Sequence, residues 1–82
     1  MKERYIATFY SHFGAVRFIR ELKKSGIMGT LMPVPRNLSS SCGTCVAYET
    51  EDLQLDDVHG EIEQVVKVVS EGYELVYRAQ DS

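Results

Sequence analysis

Tryptophan is absent from this chain of 82 residues, cysteine and proline occur twice each, and no apolar run is long. Each scarcity excludes something. Two cysteines cannot staple a domain of this size into the disulfide scaffold of small secreted proteins. No stretch approaches the roughly 18 apolar residues that a membrane-spanning helix needs, so no membrane association is expected. The opening MKERYIATFY carries an apolar stretch too short for the core of a secretory signal, and residence in the cytoplasm is therefore expected. An excess of positive charge is missing too: nine Lys and Arg against twelve Asp and Glu leave −3. A general nucleic-acid binder would be basic, which argues against nucleic acid as a partner.

What is there resembles an ordinary globular chain, 44% hydrophobic and 26% charged. The length suits a single domain over residues 1–82 with a core at about 4–78. A chain this short buries only about 60 to 65% of its unfolded surface, so no roomy cofactor pocket is expected within it, and no cofactor. The charges segregate. Lys2, Arg4, Arg17, Arg20, Lys23, Lys24 and Arg36 precede residue 40, whereas Glu49, Glu51, Asp52, Asp56, Asp57, Glu61 and Glu63 crowd one later segment.

Tyr5 to Tyr10 is rich in aromatic and β-branched residues and reads as a first strand. Ser11 can cap a helix whose apolar positions Ala15, Phe18, Ile19 and Leu22 recur at i, i+3, i+4 and i+7. Arg17, Arg20 and Lys24 share another face of that helix, and Gly26 is placed to end it. IMGTLMPVP follows as a second strand, which Pro33 and Pro35 push towards a sheet edge by removing two backbone donors. Thr44 to Thr50 is a third strand, sending Val46 and Tyr48 to one face and Cys45 and Ala47 to the other. In VHGEIEQVVKVVSEG, Val58, Ile62, Val65, Val66 and Val69 make a second helical stripe, with Asp56 or Asp57 as its cap and Gly72 as its end. YELVYRAQ closes the chain as a strand, with Tyr73, Leu75 and Tyr77 on one side.

The order β-α-β-β-α-β predicts an α+β, ferredoxin-like sandwich, a four-stranded antiparallel sheet with two helices on one face and the first and third strands at its centre. Such a sheet leaves its other face open. If Tyr5 or Tyr10, Tyr48, and Tyr73 or Tyr77 line that face, a homodimer through it is the natural outcome.

The segment PRNLSSSCGTC, residues 35–45, has no apolar periodicity and holds both cysteines, Cys42 and Cys45. A useful thiol must be held as thiolate, which takes backbone N–H groups, a helix N-terminus or a cation. Ser39, Ser40, Ser41 and Gly43 let the backbone curl around a sulfur atom, Arg36 supplies positive charge, and the two prolines stiffen the approach. Cys42, followed by Gly43 at the expected loop apex, is the better nucleophile; Cys45 has entered a strand and reads first as a small buried residue.

Val34, Pro35, Arg36, Leu38, Ser39, Ser40, Cys42 and Gly43 form the pattern V-P-R-x-L-S-S-x-C-G. With TFYSHFGAVR and IMGTLMPVP, this pattern resembles the selenium/sulfur carrier protein-like family of small bacterial domains, over about residues 4–78. The resemblance implies a thiol carrier rather than a turnover enzyme, with Cys42 accepting sulfur or selenium as a persulfide or perselenide, and with donor and acceptor proteins as partners. Arg36, Ser39, Ser40 and the Gly43 N–H would stabilise the anion. Cys45 departs from the pattern, which usually has an aliphatic or variable residue there.

Three other readings stay open. An exposed Cys45 could resolve an oxidised or persulfidated Cys42 by closing a disulfide, a dithiol redox role. A C-x-x-C knuckle supplies two of the four ligands of a structural zinc site; His12 and His59, each in the first turn of an expected helix, are poorly placed to complete it, and pairing two chains is simpler. Finally, the loop could serve a non-catalytic interaction module.

Overall fold

The computed structural model of the protein describes residues 2–36, 38, 43–51 and 62–79. In chain order they form strand β1 (Glu3–Phe9), helix α1 (His12–Lys24), and strands β2 (Gly29–Pro33), β3 (Thr44–Thr50), β4 (Ile62–Val69) and β5 (Gly72–Arg78). The strands make one sheet in the order β2-β3-β1-β4-β5, and every neighbouring pair is antiparallel. β1 is central, with β3 beside it, and the proline-bearing β2 lies at an edge, as the two missing donors require.

α1 forms where its apolar spacing predicts. The Ser11 hydroxyl oxygen accepts from the Gly14 N–H at 3.2 Å, satisfying a first-turn donor. At the other end the Gly26 N–H donates to the Lys23 carbonyl at 3.0 Å and the Ile27 N–H to the Leu22 carbonyl at 2.8 Å. This pair of bonds, with Gly26 at φ +77°, is a Schellman cap. Among the described residues no helix is long and apolar enough to cross a membrane.

The second expected helix is not there. Ile62–Val69 is a strand, and Ser70 and Glu71 turn directly into β5, with Val69 paired to Gly72. The fold is therefore α+β with one described helix on a five-stranded sheet, and not the two-helix, four-stranded ferredoxin-like sandwich. The expected start of that helix, Val58 with its caps Asp56 and Asp57, lies outside the described residues, as does His59. One physical feature made the segment read as helical. Five of its eight residues are Ile or Val, which favour a pleated strand, yet the strand is irregular. Phe9 faces Ile62 while Thr8 faces Gln64, so one extra residue intrudes between them. This bulge puts Ile62 and Val65, three residues apart, into the same buried cluster. An interruption of strict alternation thus imitates helical spacing.

A second register shift, at Val65/Val66, separates the tyrosines of β5. Tyr77 packs with the cluster beneath α1, while Tyr73 packs with the cluster on the opposite face. Tyr5 and Tyr48 also belong to the helix side, with ring centroids 5.7 Å apart, and Tyr48 meets Phe18 of α1 edge-on at 5.3 Å. The expected alignment of tyrosines on the face away from the helix does not occur, and the aromatic argument for pairing two copies through that face goes with it. That face instead buries Ile6, Cys45, Ala47 and Val66, with Met32, Val34, Leu38, Val68 and Tyr73 packed against them.

Candidate functional site

The connection from β2 to β3 is tied shut at its base. Beyond the last ladder pair, Pro33 with Thr44, the Val34 N–H donates to the Gly43 carbonyl at 3.2 Å. Val34 sits between two prolines and is the one residue of the three with an N–H to give. The chain then bends: the Leu38 N–H donates to the Pro35 carbonyl at 3.0 Å, closing a four-residue turn that holds Arg36 out in solvent.

Gly43 ends the loop at φ +74°. A Cβ built on it would touch nothing within 4 Å, so space is no constraint; the left-handed backbone alone selects glycine. The C-G step of the motif therefore has a conformational reason: it turns the chain from the thiol-bearing loop into the first pair of the hairpin.

The two cysteines differ. Cys45 lies on β3 as expected, on the face away from α1, with 0% of its surface exposed. Its thiol donates to the Pro33 carbonyl oxygen at 3.7 Å across the edge pair, and Met32, Val34 and Leu38 pack against its cluster. Leu38, the apolar residue of the motif, thus belongs to a buried cluster and anchors the turn to the sheet. Cys42, Ser39 and Ser40, with Ser41, lie outside the described residues. Leu38 and Gly43 border that stretch, with Arg36 two residues before Leu38. Among the described residues no three His, Cys, Asp or Glu side chains gather as a metal site.

The same end of the sheet carries the end of β1 and the start of α1, because β1 runs antiparallel to β3 with Thr8 opposite Cys45. Tyr10 is 41% exposed there and Phe13 76%. No acidic residue occupies the first turn of α1, so the positive end of its dipole is not neutralised by its own side chains. Phe13 was legible in sequence: it falls off the stripe of Ala15, Phe18 and Leu22, and an apolar residue off the stripe must face solvent or a partner.

The described residues make an α+β domain with an antiparallel sheet whose edge hairpin is closed by the Val34–Gly43 bond directly behind the cysteine-glycine step. The chain is a member of the family described as "Putative Se/S carrier protein-like", whose family model matches residues 4–71. No curated protein and no solved structure matches it.

Proposed function

We propose that this chain holds sulfur or selenium on Cys42, as a persulfide or perselenide, and passes it between a donor and an acceptor protein. The observation that carries the reading is the contrast between the thiols of a chain in this family: Cys45 is sealed in the sheet with its hydrogen on Pro33, which leaves Cys42 for the exchange. In the loading step a Cys42 thiolate attacks the terminal sulfur of the donor's persulfide. The donor's S–S bond breaks, its own sulfur leaves as thiolate with the electron pair, and Cys42 keeps the new S–S bond, with no net oxidation. Arg36, the hydroxyls of Ser39 and Ser40 and the Gly43 N–H supply the charge and hydrogen bonds that favour the anion.

A dithiol cycle or a zinc knuckle would need the Cys45 sulfur as well. Either use requires the β2–β3 edge to open and expose an apolar cluster, so neither is favoured. The test is intact mass after incubation with a cysteine desulfurase and cysteine, or with a low-molecular-mass polysulfide. Additions of about 32 mass units, one sulfur atom each, are expected on the wild type and on Cys45→Ser, and none on Cys42→Ser. An addition that survives in Cys42→Ser refutes the assignment.

A further inference from the structure

Phe13, Arg17, Arg20 and Lys24 recur at i, i+4, i+7 and i+11 on α1. At about 100° per residue these positions fall within about 60° of one another. They lie diametrically opposite Ala15, Phe18 and Leu22, the residues that bury α1 against the sheet. The outward ridge of the only described helix is therefore a single stripe: three cations and, at its head, a phenylalanine 76% exposed. Charge alone would be an ordinary solvated face. Phe13 sets the ridge apart, because burying this ring against a partner would be worth more than burying any other group on it. Its position matters as well, since Phe13 sits with Tyr10 at the end of the sheet where the β2–β3 loop closes at Val34 and Gly43.

We infer that this ridge of α1 is the docking surface for the protein that delivers the sulfur or selenium, and that this partner presents an acidic surface with an apolar pocket for Phe13. The inference builds on the carrier reading of Cys42 and adds where the donor sits. The chain as a whole carries −3, so a row of three cations on one helix face stands out against it and would orient the encounter with an acidic partner as well as strengthen it. The exposed Phe13 at the head of the ridge favours a protein, which can offer an apolar pocket, over a nucleic acid, whose phosphates would engage the cations alone. Glu21 pairs with the Lys24 ammonium at 3.5 Å on the flank of the ridge, so Arg17 and Arg20 carry most of its net positive charge.

The test compares the full wild-type chain with a Phe13→Ala, Arg20→Glu, Lys24→Glu variant. All three side chains face solvent, and an unchanged denaturation midpoint checks that the fold is kept. Loading of Cys42 from sodium tetrasulfide, a donor with no surface to dock, is expected to be equal in both. Loading from a cysteine desulfurase supplied with cysteine is expected to fall by about tenfold or more in the variant, and in the wild type to slow as salt rises from about 20 to about 300 mM. Equal rates from the enzyme for both proteins overturn the docking inference and leave the carrier reading intact. Inhibition of wild-type loading by polyuridylate RNA also overturns it, since the ridge then binds phosphates. Wild-type protein that takes sulfur from neither source removes the carrier reading, and the docking inference with it.

Discussion

The two faces of the sheet are built differently. Under α1 the core is large and aromatic: Phe9, Phe18, Tyr5 and Tyr48 interlock, with Phe9 and Phe18 ring centroids 5.4 Å apart. On the other face the buried residues, Ile6, Cys45, Ala47 and Val66, include no aromatic ring, and two of the side chains packed on them, Val34 and Leu38, come from the V-P-R-x-L motif itself. The first face holds the domain together. The second ties Val34 and Leu38, on the approach to the thiol-bearing segment, to the sheet around the buried Cys45.

Three substitutions break or sharpen that comparison. Phe18→Ala removes the ring that meets both Phe9 and Tyr48, and should lower unfolding free energy by about 3–5 kcal/mol in a denaturant titration. A loss below about 1 kcal/mol would mean that the aromatic cluster is not the main core. Leu38→Ala, on the other face, acts on a half-buried side chain and should cost about 1–2 kcal/mol. Its distinguishing effect is on reactivity: Cys45, shielded by that cluster, should become several-fold faster in reaction with a thiol reagent, whereas Phe18→Ala should do this only through global unfolding. If Cys45 reacts at the wild-type rate in Leu38→Ala, the loop is not what seals it.

The smallest effect concerns Tyr48. Its hydroxyl is buried with no hydrogen-bond partner among the described residues. Burial, and to a lesser degree the neighbouring Tyr5, push its pKa well above the ordinary value of 10.0. The unfolded chain gives up that proton first as pH rises past about 10, so the contribution to stability is complete below that pH and declines above it. Tyr48→Phe removes the group and should leave the protein as stable or up to about 1 kcal/mol more so at neutral pH, with a shallower alkaline decline. Unfolding midpoints between pH 7 and 11 measure both, at intervals of about one unit.

Much of the first half could be read from its residues because its signals are local. Ser11 and Gly26 bound a helix whose stripe is regular, and strict alternation along Thr44 to Thr50 is enough to assign Cys45 and Tyr48 to opposite faces. The edge position of β2 was legible as well, because Pro33 and Pro35 remove two donors, whereas the left-handed backbone at Gly43 came from the structure. The second half could not be read in this way. Val65 and Val66 are both buried, on different faces, and bulges shift the register on either side of β4. A chain segment hydrophobic on both faces has no clear period, and its spacing then fits a helix as well as a strand.

Local pattern therefore predicted the helix and the first three strands, and the V-P-R-x-L-S-S-x-C-G motif carried the resemblance to the family whose model matches residues 4–71. Only the tertiary structure decided that residues 62–78 form a hairpin, that Tyr5, Tyr48 and Tyr77 go beneath the helix, and that Val34 and Leu38 pack on the other face. The reason is that alternation states which residues share a face without saying which face is covered. That choice, like the position of a bulge, is made by partners distant in sequence, when β4 pairs with β1 and α1 packs across the sheet.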